Sequence, residues 1–205
     1  MNSHLNIKSL HNVLSYLEYR NLISNLLKQG RSTGEVQSDE ILHYSKLNDT
    51  RMNRLDKTMM LDVEVQTQLI SLKAKYDWIV LSEGWCGDAA QILPILNKMA
   101  EATDAISLKI VLRDENEDLM NQFLTNGAKS IPKLIIVDRE TNQIINSWGP
   151  RPQTAIDLVL NYKKEFGVID EYSGVIRPNH ITRYEFVSMM VEMYTNAGIE
   201  LKNGS

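Results

Sequence analysis

The feature that most constrains this chain is a change of period. From Trp78 to Leu81, in the stretch YDWIVLSEGW, apolar residues follow one another without a break, whereas the preceding segments space theirs in threes and fours. A short continuous apolar run bounded by polar and turn residues marks a strand buried on both faces. Such a strand needs covering layers on either side, and the flanking sequence supplies helices to make them.

Before the run, Leu10, Val13, Leu14, Leu17, Leu22, Ile23, Leu26 and Leu27 predict an amphipathic helix from Ser9 to Lys28, ended by KQGRSTGE. A second helical pattern carries Ile41, Leu42, Leu47, Met52, Leu55 and Met59, and a third runs from about Asp62 to Lys73. After the run, a helix is expected from about Cys86, turning Ile92, Leu93, Ile95, Leu96 and Met99 inward, followed by the strand AISLKIVLRD. Asp114 and Glu117 have the spacing of a capping box before the helix NEDLMNQFLTN, which Gly127 closes. PKLIIVD and QIINSWG then read as strands of a hairpin joined by RETN, and a helix from about Pro152 to Glu165 completes the unit. The order is mixed α/β with one antiparallel hairpin. Beyond Gly167 a loop-like stretch leads to Thr182 and Glu185, a second capping-box spacing. The amphipathic stripe after it, Phe186, Met189, Met190 and Met193, reads as core packing.

Composition narrows the function classes. A chain of 205 residues that is 43% hydrophobic can bury a substantial core, and a net charge of -4 argues against a nucleic-acid binder. The N-terminus lacks the apolar core of a signal peptide, and no apolar run approaches the roughly 18 residues of a membrane span. The chain is therefore expected to be cytoplasmic, away from membranes. The single cysteine excludes an internal disulfide, and the scattered histidines His4, His11, His43 and His180 lack ligand spacing, so no metal and no cofactor is expected.

That cysteine stands in LSEGWCGDAAQILP, where the buried run gives way to a helix. Sulfur at a helix N-terminus faces unpaired N-H groups and the positive end of the helix dipole, which favour thiolate. Asp88 in the first turn opposes this, so the expectation is an accessible thiol with only a small pKa depression.

Over about Tyr76 to Phe166 the chain resembles the thioredoxin family. EGWCGDA is similar to the family's W-C-G-P-C segment, with Trp85, Cys86 and Gly87 matching directly. Pro94 falls where the family helix carries its kinking proline, Ser130 to Pro132 resembles the cis-proline loop, and Gly149 matches the glycine after the last strand. The resemblance implies a thioredoxin-like fold, a central mixed sheet flanked by helices, over residues 76–167. Helical extensions, of a kind found among bacterial thioredoxin-like proteins, occupy 1–75 and 168–205. It implies Cys86 as the nucleophile and Trp85, Gly87, Ile131 and Pro132 as the substrate-binding surface, Ile131 presenting its backbone edge beside a cis proline.

The departures modulate that chemistry. Asp88 replaces the family's central proline, Ala89 its second cysteine, and Val80 the buried acid six residues before the first cysteine. Without a resolving thiol, a mixed disulfide can be released only by another thiol. Two functions follow. One is monothiol exchange with protein, peptide or glutathione substrates, a cell redox homeostasis role. The alternative is a redox-inactive binding module that holds a protein or peptide. Trp85 is read equally as a substrate-facing or a packing side chain, and Trp148 as buried.

Overall fold

A computed structural model describes residues 4–153 together with 156 and 157. The elements in chain order are a 3₁₀ turn Ile7–Ser9, α1 (Tyr16–Lys28), α2 (Asp39–Thr58), α3 (Val63–Ile70), β1 (Tyr76–Ser82), α4 (Gly87–Glu101), β2 (Ile106–Leu112), α5 (Glu117–Met120), β3 (Lys133–Asp138) and β4 (Ile144–Trp148). The strands form one sheet in the order β2-β1-β3-β4, with β1 parallel to β2 and antiparallel to β3, and β3 antiparallel to β4. This is the mixed sheet with one hairpin that the apolar pattern implies.

β1 is buried along its whole length, as its unbroken apolar run requires. Its one acid, Asp77, is buried with it and is paired to Lys109 on β2 and to Arg139. In the hairpin turn the Asp138 carboxylate accepts the Glu140 and Thr141 N-H groups, and Asn142 takes a positive φ of 56°. α4 buries Ile92, Leu93, Pro94, Ile95, Leu96 and Met99 against the sheet, although Pro94 lies in its interior. The N-terminal helices share this core: Tyr19, Ile23 and Met52 are buried in one cluster with Trp78, Leu93 and Ile110.

Two expectations change. The first helix begins at Tyr16 rather than Ser9, because Ser15 and Glu18 form a reciprocal capping box. Leu14 is instead extended and exchanges backbone hydrogen bonds with Ile110 at 2.8 and 2.7 Å, so the N-terminal segment adds to the outer edge of β2. Leu10, Val13 and Leu14 pack against the core from that edge. Their spacing fits a helix, but the exposed strand edge offers the backbone other partners.

The second change concerns Asp114 and Glu117, which do not form a capping box. Asn116 stands at the N-cap of α5 without a side-chain cap bond, since its side chain holds both the His11 backbone and the Leu112 carbonyl. Asp114 is paired with Arg113, and Glu117 with Lys129. The predicted helix after Asp114 shortens to Glu117–Met120, and Gly127, at φ 80°, serves a later turn. The helix expected from Pro152 lies mostly outside the described residues, and the segment 168–205 lies wholly outside them.

Candidate functional site

The site forms where β1 ends and α4 begins. Glu83 to Cys86 makes a tight turn closed by the Cys86 N-H on the Glu83 carbonyl at 3.1 Å, which sets Cys86 at the N-cap of α4. Its sulfur accepts the Ala89 N-H at 3.4 Å, as a capping oxygen would. Its thiol donates to the Ile131 carbonyl at 3.3 Å, and the Ile131–Pro132 peptide is cis. The sequence placed these residues together correctly, although they lie far apart along the chain.

Accessibility and charge differ from expectation. Cys86 is only 8% exposed. Burial pushes its thiol up to about 12, and the Asp88 carboxylate adds to the rise. The Ala89 and Asp88 N-H groups and Arg151 pull the other way without overcoming it. The expected small depression is overturned because desolvation of a buried thiolate outweighs the helix terminus. Asp88 is itself raised by burial and held back by its ion pair with Arg151 at 2.7 Å, with Arg51 contributing.

Gly87 follows directly, and a Cβ there would lie 3.4 Å from an Arg51 terminal nitrogen. Ala89, at the place of a second thiol, is buried, as is Val80. Trp85 is half-buried, with the Arg113 guanidinium 4.9 Å over its ring, a cation-π contact that makes it part of the site's wall. Trp148 is buried at the end of β4. Gly149 beside it has φ 111°, and a Cβ would stand 2.2 Å from the Pro132 carbonyl oxygen, so only glycine allows β4 to approach the proline loop this closely.

Several residues here escaped the sequence reading. Glu83 is fully buried, and its Oε1 accepts the Asp114 N-H at 3.1 Å. Its Oε2 lacks a partner in good geometry, although the Thr33 hydroxyl is near enough to hold the carboxyl's pKa down. Burial nevertheless raises Glu83 above the usual carboxylate range. A buried acid therefore stands beside this turn, displaced from the Val80 position where the family pattern would put it. The one available signal was its place inside the SEGWCGD segment. Asn48 is buried on α2, donates to the Gly84 carbonyl at 3.1 Å and accepts from Arg51 at 2.9 Å, tying α2 to the turn. Thr33 donates no such tie but accepts the Gly84 N-H at 2.7 Å. Neither Asn48 nor Thr33 carries a sequence signal, because both act through tertiary contact. A separate concavity of about 420 Å³, lined by Ile70, Lys73, Lys75 and Glu101 among others, contains none of these residues.

The family model described as thioredoxin matches residues 34–166. This chain belongs to the thioredoxin family. The match begins ahead of α2, so the helix that supplies Asn48 and Arg51 falls within it. The structure is also similar to that of PA1234, a protein of unknown function from Pseudomonas aeruginosa, with a TM-score of 0.51 and 16% identity, covering 92% of this chain and 96% of that one. An HIV epitope-scaffold protein gives a TM-score of 0.48 and 19% identity, over 75% of this chain and 90% of that one. No curated protein matches. With the sheet order and the cis Ile131–Pro132 peptide, the family match makes the fold thioredoxin-like. Among the described residues no helix is long and apolar enough to cross a membrane.

Proposed function

We propose that this thioredoxin-family chain is a cytoplasmic binding module, in which Cys86 is a neutral thiol built into the wall of a peptide groove. The observation that carries this reading is the state of Cys86: 8% exposed, its thiol donated to the Ile131 carbonyl and raised to about 12. A thiol with that value is about one part in ten thousand thiolate near pH 8. Ala89 adds that no second sulfur lies at the resolving position. The groove surface is formed by Trp85, Gly87, Ile131 and Pro132. Ile131 supports pairing with an extended segment, because its N-H makes no hydrogen bond among the described residues.

Monothiol exchange on protein or glutathione disulfides is the second reading, favoured by one contact: the Ala89 N-H on the sulfur would stabilise a thiolate if the site opened. The alkylation rate of the folded protein separates the two. Near pH 8, N-ethylmaleimide should modify Cys86 about a thousandfold more slowly in the folded chain than in denaturant, following the rise in pKa. A folded rate within about tenfold of the unfolded one would overturn the binding-module reading and restore exchange chemistry.

A further inference from the structure

Three arginines from separate parts of the chain meet around the Trp85–Asp88 turn. Arg113, just after β2, lies over the Trp85 ring. Arg151, after β4, pairs with Asp88. Arg51, from α2, sits against Gly87. Neither ion pair uses the whole guanidinium. Arg151 meets Asp88 through Nε, and its terminal amino groups have no hydrogen-bond partner among the described residues. Arg113 meets Asp114 through Nε at 2.7 Å and reaches the Lys129 carbonyl only at 3.5 Å. The side chains of Arg113 and Arg151 are 22% and 42% exposed, so their outer edges remain open to a ligand.

The arrangement runs against the chain as a whole, whose net charge is -4. Each of the two partly exposed arginines has one acid beside it, Asp114 at Arg113 and Asp88 at Arg151, and both ion pairs run through Nε, which leaves the outer guanidinium edges for a further carboxylate. Guanidinium edges suit planar carboxylates, which they can hold through two parallel hydrogen bonds. We infer that the groove selects an extended, acidic segment of a partner protein, its backbone pairing at Ile131 and its carboxylates at Arg113 and Arg151. This rests on the binding-module reading and adds the chemistry of the partner. A peptide fits better than the other common polyanion, a nucleic acid, because the Ile131 N-H, without a hydrogen bond among the described residues, asks for a backbone carbonyl, and the chain as a whole carries a net charge of -4.

The test uses the full chain and fluorescein-labelled extended peptides of matched length and hydrophobicity that are Glu-rich, Gln-rich or Lys-rich, followed by fluorescence anisotropy. The Glu-rich peptide should bind about tenfold more tightly than the Gln-rich one, a difference of about 1.4 kcal/mol that shrinks as salt is added. Arg151→Gln, which also breaks the ion pair to Asp88, should remove part of that preference. The combination with Arg113→Gln should remove most of it, with circular dichroism verifying the fold. Equal binding of the Glu-rich and Gln-rich peptides, or a preference that survives in a folded double variant, would overturn the acidic selectivity while leaving the groove intact. Tighter binding of the Lys-rich peptide, or equal competition by a single-stranded oligonucleotide, would also overturn it. Failure of all three peptides to bind would instead sink the binding-module reading itself, and with it this inference.

Discussion

Replacing Cys86 by alanine should destabilise the protein near neutral pH and progressively less as the solution becomes alkaline. Two effects make up the difference. Alanine removes the acceptor of the Ala89 N-H and the donor to the buried Ile131 carbonyl. Leaving such groups unsatisfied costs about 1 to 3 kcal/mol, with little dependence on pH. The second effect is proton linkage. The thiol's pKa rises from an ordinary 9.0 to about 12 in the folded chain, so the unfolded chain loses its proton first. A raised acid contributes stability that is complete below the unfolded value and is lost as pH climbs toward the folded one. For the wild type that loss is negligible below about pH 8, about 0.8 kcal/mol by about pH 9.5, and approaches about 1.4 kcal/mol per pH unit above that. The alanine variant has no thiol and no such slope. Tyr16, also raised by burial, titrates in both proteins and cancels in the difference; Tyr19, raised mainly by burial, also feels the Cys86 charge, a smaller effect in the same alkaline direction that disappears with the thiol. Urea unfolding of both proteins at several values between about pH 7 and 9.5 gives the difference directly. If the gap between them stays constant or widens with pH, the thiol is not raised in the fold, and the argument from burial fails.

Three further outcomes are expected. Gly149→Ala places a Cβ 2.2 Å from the Pro132 carbonyl in a backbone of positive φ, and should cost about 3 to 5 kcal/mol, lowering the thermal midpoint by at least about 6 °C; a variant that melts with the wild type would refute the close approach of β4 to the proline loop. Glu83→Gln removes a carboxyl that burial raises, so the variant should gain on the wild type as pH rises through the carboxylate range and match it in acid, where both side chains are neutral; an unchanged difference from acid to neutral pH would mean that Glu83 titrates normally. Ala89→Cys recreates the C-x-x-C spacing at a buried position, yet should give little disulfide-reduction turnover in a reductase-coupled assay, and vigorous turnover would show that the raised Cys86 thiol is no barrier to exchange.

Local chemistry in the sequence was enough to determine the layered α/β order, the hairpin and the start of α4 at Cys86. A buried strand must be continuously apolar, and a helix beside it must repeat its apolar residues every three or four positions, so Trp78 to Leu81 and Ile92 to Met99 declare themselves without reference to the rest of the chain. The W-C-G segment, Ile131-Pro132 and Gly149 were legible through family resemblance, and their meeting at one site followed from the order of elements. Local patterns failed where a distant group competed for the same atoms. Leu10 to Leu14 left the helix because the β2 edge offered backbone partners, and Asn116 lost its capping role to the His11 backbone. The state of Cys86 was likewise a tertiary outcome. Its helix terminus and Asp88 can be read within a few residues, but its burial depends on the chain packed around it, including the proline loop at Ile131. Desolvation by that surrounding mass exceeds both local effects, and no stretch of sequence near Cys86 records it.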